Sequence, residues 1–165
     1  MEDSKQFTCI SYNNIEFLIQ NRYVLFGIYL QDLNESKSID FENEVLPHIF
    51  IGHFLENNFL CKPSENCNVM LVMKKDDIDK KIQKLIVDFT GTKFPPSGNF
   101  AISVNSAVSS RIIDTTFLRL MPQGIRSLQK ACGISAIGFQ ENRQILISPD
   151  CLLRKLIKDG GMSNG

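Results

Sequence analysis

Four side chains of the types that bind transition metals fall close together in the sequence: His48, His53, Cys61 and Cys67. The two histidines are spaced as in the His pairs of zinc sites, but the two cysteines are farther apart than the usual Cys pairs. The two histidines flank the end of an apolar strand, where partly exposed histidines are common. The same residues are therefore explained equally well as two surface histidines and two loop thiols. We therefore expect no metal site.

Two other cysteines, Cys132 and Cys151, are candidate nucleophiles. Neither has a histidine nearby in the sequence, and both are surrounded by apolar residues. A thiol in such a setting usually packs as a small hydrophobic group, because catalysis needs an activating base and a lowered pKa. We expect no enzymatic activity and no cofactor.

The segment Gly91–Gly98 combines glycines with a lysine, but it lacks the spacing of a phosphate-binding loop. Its two adjacent prolines also remove backbone N–H donors. Asp76, Asp77 and Asp79 lack the glycine and the further ligands of a calcium-binding loop, and lysines surround them. A surface loop and a solvated charged face are the predictions here.

Composition places the chain among ordinary globular proteins, with 43% hydrophobic and 22% charged residues. The 18 basic and 18 acidic residues cancel, which argues against a nucleic-acid partner, since such proteins need a basic excess. The five cysteines are irregularly spaced, the N-terminus is acidic and no apolar run is long enough to cross a bilayer. We expect a cytoplasmic protein with reduced thiols and no membrane insertion.

Short β-type segments dominate the first half of the chain. Ile15–Ile19 and Tyr23–Leu30 flank Gln20–Arg22, which is predicted to be a hairpin turn. Glu44–Ile51 is a strand that tolerates its proline only near an edge or a bend. Val69–Met73 is a strand of the buried type.

The charged segment Lys74–Lys84 allows two interpretations. Ile78, Ile82 and Leu85 recur at helical spacing, which favours a short amphipathic helix. Alternatively, residues 84–89 pair with the preceding strand as a hairpin.

Further strands are predicted at Phe100–Val104 and Val108–Ile113 and up to the proline at position 122. Two more strands, separated by a turn at residues 140–143, precede a helix that begins near Cys151. Ser148 or Asp150 can cap this helix, because a short side-chain oxygen accepts from its first free N–H groups. Many short strands favour barrels or sandwiches over a parallel α/β sheet.

The order of four segments resembles that of CheW-like domains, the adaptor modules of bacterial chemosensory arrays. Glu44–Ile51, followed by Phe54-Leu55, is similar to the family's Glu-Val-x-Pro strand. Phe100–Val108 resembles its Val-Asp strand, and residues 113–122 its polar linker. Residues 134–153, with Ser148-Pro149-Asp150, resemble its closing strand, turn, strand and helix.

The resemblance implies an all-β fold with minor α, made of two small SH3-like β-barrels and a C-terminal helix. One domain over residues 10–158 is expected, with flexible termini at 1–9 and 159–165. It further implies a non-enzymatic adaptor that couples a histidine kinase of the CheA type to methyl-accepting chemotaxis receptors. The alternative is a divergent module with a partner outside chemotaxis.

The resemblance places the partner-binding residues at Phe41, Glu42, Asn43 and Glu44, with Val104 and Asn105 on a second strand. The first three positions depart from the family, which has Leu-Arg-Gly there. Glu42 therefore reverses the charge of an arginine that contributes to partner binding. Asn43 replaces a glycine, and asparagine is the next best residue for positive φ. The segment between residues 30 and 39 is also shorter than in the family.

Overall fold

The chain folds into two β-sheets and three helices within the part described by the computed structural model, residues 4–120, 134–139 and 143–163. The predicted class, all-β with minor α, is confirmed. The strands are β1 Ser4–Tyr12, β2 Ile15–Gln20, β3 Val24–Leu30, β4 Ser38–Phe41, β5 Glu44–Phe50, β6 Asn68–Lys74, β7 Asn99–Val104, β8 Ala107–Asp114, β9 Leu118–Leu120, β10 Ile134–Phe139 and β11 Arg143–Ile147. The helices are α1 Gly52–Phe59, α2 Lys80–Thr90 and α3 Pro149–Ser163.

The six-stranded sheet combines segments from both ends of the chain, in the order β8-β1-β2-β11-β10-β9. β2 and β11 are parallel neighbours, with Ile15 opposite Arg143 and Leu18 opposite Leu146. The five-stranded sheet, in the order β3-β6-β7-β5-β4, uses only the stretch of chain between β2 and β8.

Both sheets contribute one face to a shared core. Side chains alternate between the two faces of a strand, so cross-strand partners lie on the same face. Phe17 from the six-stranded sheet and Leu71 from the five-stranded sheet are both fully buried in this core. The shared core therefore joins the two sheets into one unit.

The opposite face of each sheet carries a smaller core of its own. In the five-stranded sheet this core contains Leu46, Met70, Val72 and Ala101. In the six-stranded sheet it contains Phe7, Cys9, Leu18 and Ile113.

A buried carboxylate accompanies the smaller core of the six-stranded sheet. Glu16 is only 8% exposed, and it is paired with Arg111 and accepts a hydrogen bond from Gln144 Nε2 at 3.1 Å. These polar partners offset part of the cost of removing the carboxylate from water.

The helices close the shared core. Ile82 and Ile86 of α2 pack into it, as do Leu152 and Leu156 of α3. The helical interpretation of the charged segment is confirmed and the hairpin alternative is wrong, although the helix begins at Lys80. In the described residues, no helix combines the length and hydropathy needed to span a membrane.

Both sheets are open within the described residues, which corrects the expectation of two SH3-like barrels. In the five-stranded sheet the two outermost strands approach each other without pairing. Phe26 of β3 and Phe41 of β4 lie edge to face, with ring centroids 6.0 Å apart. The sheet is thus curled around its small core, and side chains bridge the gap where a barrel would have backbone hydrogen bonds.

The predicted hairpin turn at Gln20–Arg22 is wrong. β2 and β3 belong to different sheets, and a short 3-10 turn at Asn21–Tyr23 carries the chain from one to the other.

The domain boundary expected at residue 10 falls inside β1, which begins at Ser4 and pairs with β2 and β8. At the other end, α3 continues past residue 158.

The C-terminal strands and helix are found in the predicted order. The turn expected at residues 140–143 lies mostly outside the described residues, and Arg143 already belongs to β11. Ser148 precedes α3, and its carbonyl accepts from the Leu152 N–H at 3.0 Å. The Asp150 carboxylate instead accepts from the backbone N–H of Asp79, at 3.0 Å.

Candidate protein-interaction site

The residues predicted to bind a partner form the turn of the β4–β5 hairpin. Phe41 and Glu44 are paired across the two strands, and Glu42 and Asn43 occupy the two central positions. Both central residues have positive φ, 48° for Glu42 and 65° for Asn43. This is the geometry of a type I′ turn, which matches the twist of paired strands. Asn43 thus adopts the positive φ for which asparagine is the next best residue after glycine.

The hairpin surface, which we define as Asp40–Val45 together with Phe26, is apolar with an acidic rim. Val45 is 51% exposed and Phe26 49% exposed. Asp40 and Glu42 are exposed, and neither forms an ion pair with any described residue. Residues 40–45 line an open surface depression. A surface of this kind suits a partner with apolar and basic groups.

Glu44 is held in place by its neighbours. Its Oε1 accepts from the Ser97 hydroxyl at 2.6 Å, and its Oε2 accepts from the Ser97 N–H at 3.3 Å. These contacts fix the start of β5 against the loop that precedes β7. Glu44 therefore positions the hairpin rather than extending freely toward a partner.

Val104 and Asn105 are separated from the hairpin surface and differ in accessibility. Val104 is fully buried in the shared core, so its side chain is not available to a partner. Asn105 is half-buried, and its Oδ1 accepts from the Tyr12 hydroxyl at 2.6 Å. Asn105 also approaches Gly52 so closely that a Cβ there would lie 2.4 Å from its Oδ1. Asn105 thus joins the two sheets and α1.

A crevice between the two sheets provides a second candidate surface. It has a volume of about 220 Å³. Val24–Gly27 of β3 form one wall and Val108–Ser110 of β8 form the other. Thr8 and Asn21 lie beside them, and Leu71 forms part of the lining. Apolar side chains line much of this crevice, which suits a narrow element of a partner.

The two candidate metal-binding histidines have different surroundings. Among the described residues, no group of three potential ligand side chains is arranged to hold an ion. His48 is fully buried, and its Nδ1 donates to the Ser36 carbonyl at 2.5 Å. Its Nε2 then accepts from the Ser103 hydroxyl at 2.6 Å. His53 is exposed, and it lies 2.9 Å from a carboxylate oxygen of Glu35.

Two of the described cysteines, Cys9 and Cys61, have the surroundings of structural thiols, whereas Cys67 and Cys151 are partly exposed. Burial, reinforced by the nearby Glu56 carboxylate, raises the pKa of Cys61 to about 11. Burial likewise raises the pKa of Cys9. A raised pKa leaves little thiolate at neutral pH, and the thiolate is the nucleophile. Cys132 lies outside the described residues.

The remaining segments that were considered as binding sites, the aspartates at positions 76–79 and the segment Gly91–Gly98, have structural roles. Asp79 caps α2, because its carboxylate accepts from the Lys81 N–H at 2.8 Å. Gly91 ends the same helix with φ of 67°. The segment from Gly91 to Gly98 is a loop between α2 and β7, as predicted.

Comparison with known proteins gives a fold but no sequence family. No family model and no curated protein matches the sequence. The structure is similar to that of the scaffolding protein TtCheW from Thermoanaerobacter tengcongensis, with a TM-score of 0.52. The match covers 90% of this chain and 91% of that one, at 12% identity. The chain has a CheW-like fold. The predicted resemblance is confirmed at this level, and the low identity makes the chain a divergent example of the CheW-like fold.

Sequence reasoning missed the apolar residues that extend both surfaces, notably Leu25, Phe26, Val45 and Val108. The available signal was the segment from Tyr23 to Leu30, which contains no charged residue and in which apolar residues do not alternate with polar ones. Such a pattern indicates apolar side chains on both faces of a strand. It does not tell whether the second face is buried or available to a partner.

Proposed function

We propose that the chain is a non-enzymatic adaptor in chemosensory signalling, which couples a CheA-type histidine kinase to methyl-accepting receptors. The observation that carries this proposal is the likeness to a scaffolding protein over 90% of the chain. The two solvent-accessible surfaces described above add to its support, because an adaptor needs separate sites for two partners.

The hairpin surface is the proposed site for the kinase. Phe41 and Val45 supply apolar contact area beside a turn that the type I′ geometry holds in one conformation. A rigid site loses little conformational entropy on binding. Glu42 and Asn43 lie at the tip, so the charge of residue 42 selects among partners.

The crevice is the proposed site for the receptor. Its two walls come from different sheets, and the shared core fixes the spacing between them. An apolar helical hairpin tip would be recognised by insertion between β3 and β8. Binding there leaves residues 40–45 of the hairpin surface open for the kinase, and Phe26 borders both surfaces.

Glu42 favours a second candidate function, a CheW-like interaction module whose partner lies outside chemotaxis. An acidic residue in place of the family's arginine would repel any acidic group of a partner that pairs with that arginine. A partner with a basic residue at that place would be bound instead.

Binding to purified partners tests the adaptor proposal. The probes are the regulatory domain of a CheA-type kinase and the cytoplasmic tip of a methyl-accepting receptor from the source organism. We expect Val45→Glu to weaken kinase binding at least tenfold and to leave receptor binding unchanged. Ser109→Arg, at an exposed crevice position, has the opposite effect.

Leu60→Glu is the matched control, because Leu60 is 91% exposed and lies outside both surfaces. Failure of the folded protein to bind either probe refutes the adaptor role. If Glu42→Arg then creates kinase binding, the chain has kept the kinase interface of an adaptor with the charge of residue 42 reversed. If Glu42→Arg has no effect, the alternative function is supported.

A further inference from the structure

The loop between β3 and β4, residues 31–37, is contacted by both histidines of the chain. His48 of β5 donates from its ring Nδ1 to the Ser36 carbonyl, at 2.5 Å. His53 of α1 lies 2.9 Å from a carboxylate oxygen of Glu35, the preceding residue of the loop. The loop residues themselves are largely exposed. Polar contacts, rather than apolar burial, therefore hold the loop against the sheet.

His48 makes the inner contact, and only its neutral form fits the hydrogen bonds that it makes. The side chain is fully buried, its Nδ1–H is used by Ser36, and its Nε2 accepts from the Ser103 hydroxyl. A protonated ring carries a hydrogen on Nε2 as well, so the Ser103 hydroxyl would have to turn away. In the part of the chain that the structure describes, this hydroxyl has no other hydrogen-bond partner. Protonation would thus leave a buried donor unsatisfied.

The strands around His48 present little charge to its ring. Side chains two apart on a strand share a face, so His48 lies on the face of β5 that carries Leu46 and the small core. The charged residues that β3–β7 place on this face are Glu44, at the far end of β5, and Lys74, at the end of β6. The Glu44 carboxylate is bound to Ser97, and Lys74 is exposed.

Two charged residues of the loop lie next to the contact with His48, and both are engaged by other elements. The Glu35 carboxylate lies beside His53 of α1, and the Lys37 ammonium lies 4.5 Å from the centre of an aromatic ring on α2. Asp32, farther away in the loop, is exposed. A positive charge on His48 would therefore have to be stabilised by water, which the closed loop excludes. This burial lowers the pKa of His48.

We propose that the loop is an acid-released latch: when His48 Nε2 takes up a proton from solvent, residues 31–37 and the start of β4 separate from β5. The separation lets water reach the ring, because the exposed loop covers its Nδ1 side. β4 has only four residues, and its first pair, Ser38 with Pro47, directly follows the backbone bond between Lys37 and His48. This inference goes beyond the proposed function and does not rest on it, because it concerns the conformation of one loop.

Amide hydrogen exchange followed by NMR tests the latch. The His48 amide donates to the Lys37 carbonyl, so its exchange reports separation of the loop. The Leu71 amide lies in an interior strand, so its exchange reports unfolding of the sheet. We expect lower protection at His48 than at Leu71. We also expect exchange at His48 to be insensitive to low urea concentrations, because separation of the loop exposes little surface.

A pH series tests whether a histidine controls the separation. His48 should have the ordinary histidine pKa of about 6.5 when the loop is open, and a lower pKa when the loop is closed. Corrected for the intrinsic exchange rate, the protection of its amide is therefore expected to fall by up to about tenfold as the pH falls from roughly 7.5 to 5.5.

Two variants assign the pH response to one ring. His48→Gln keeps a donor and an acceptor but cannot be charged, so it is expected to abolish the fall in protection at residue 48. His53→Gln is the matched control, because it changes the other histidine that contacts the loop and retains His48. The fall in protection is expected to remain in this variant.

The unchanged protein alone can overturn the proposal, if its His48 amide exchanges only together with that of Leu71 or if its protection does not fall with acid. A fall that persists in His48→Gln, or one that disappears in His53→Gln, assigns the response to another group and overturns the proposal as well. The experiment involves neither the kinase nor the receptor, so its failure leaves the adaptor proposal untouched.

Discussion

His48 is a buried residue whose ionisation matters for stability. Its two ring nitrogens are used by Ser36 and Ser103, and its backbone N–H donates to the Lys37 carbonyl at 3.0 Å. It thereby ties β5 and β7 to the loop that leads into the hairpin surface. Burial lowers the pKa of His48, since the charged imidazolium loses its water.

We expect the protein to lose stability on mild acidification because of His48. The folded state binds the proton more weakly than the unfolded state, whose histidine pKa is about 6.5. The stabilising contribution is therefore complete above about pH 6.5 and is lost as the pH falls through the lowered folded value. Urea unfolding at a series of pH values measures the effect.

Two histidine variants separate this effect from general acid sensitivity. His48→Gln is expected to lower stability at neutral pH and to flatten the pH dependence of stability below about pH 6.5. His53→Gln, at the exposed histidine, is expected to retain the slope of the unchanged protein. If both variants show the same slope, His48 is not responsible.

Leu60 is a leucine in a backbone conformation that favours glycine. It ends α1 with φ of 51°, and its side chain is 91% exposed. Replacement by glycine removes the steric cost of positive φ and loses almost no packing, although it adds entropy to the unfolded chain. We expect Leu60→Gly to stabilise the protein by up to about 1 kcal/mol in urea unfolding. Leu60→Ala keeps the Cβ and should give no gain.

At the residue scale, the backbone conformation of a residue was easier to predict from the sequence than the burial of its side chain. Positive φ at Asn43 follows from the side chain itself, so it could be predicted. The burial of Val104 could not, because its face of β7 is set by a sheet whose other strands are distant in the sequence. The turn at Glu42 also has positive φ, which nothing in a glutamate side chain indicates.

The elements α2 and α3 are linked at their N-termini. The Asp79 carboxylate caps α2, and the Asp79 N–H donates to the Asp150 carboxylate in the first turn of α3. A carboxylate near a helix N-terminus is also favoured by the helix dipole. This contact aligns the two helices that close the shared core.

We expect Asp79→Ala to destabilise the protein by about 1 kcal/mol, the usual cost of losing an N-cap. Asp76→Ala is the matched control, because Asp76 is exposed in the preceding turn and caps no helix. Its effect should stay within about 0.5 kcal/mol. Equal losses from the two substitutions would contradict the capping role.

At the element scale, periodicity identified α2 and most strands, but it could not assign neighbours. Ile78, Ile82 and Leu85 have a helical period that polar residues interrupt, so the helix was predictable. The turn at Asn21 offered no such signal, because a short polar break can join strands of one sheet or of two. The choice between these arrangements depends on the shared core, against which residues of both β2 and β3 pack.

The whole molecule depends on the core that the two sheets share. Phe17 lies at its centre, fully buried, with edge-to-face contacts to Tyr12 and Phe59. The two sheets cannot separate without exposing their apolar faces in the shared core to water. The free energy of this exposure is the dominant cost of separating them. The order of the segments predicted the general fold, but open sheets in place of barrels depend on strand curvature that the sequence pattern does not specify.

We expect the two sheets to unfold in a single transition. Amide signals from β1 and from β6, followed by NMR through a urea series, should share one midpoint. Phe17→Ala should shift both midpoints together, at a cost of about 3–5 kcal/mol. Separate midpoints for the two sheets would show that the shared core does not couple them.

The parallel pairing of β2 with β11 imposes an order on the folding of the nascent chain. During synthesis, all strands of the five-stranded sheet have been made once residue 104 has emerged. β2, made much earlier, must wait for β11 before its second neighbour exists. The edge of β2 that pairs with β11 therefore stays unpaired in a nascent chain until Ile147 has been made, and an unpaired strand edge is a surface that a chaperone would bind.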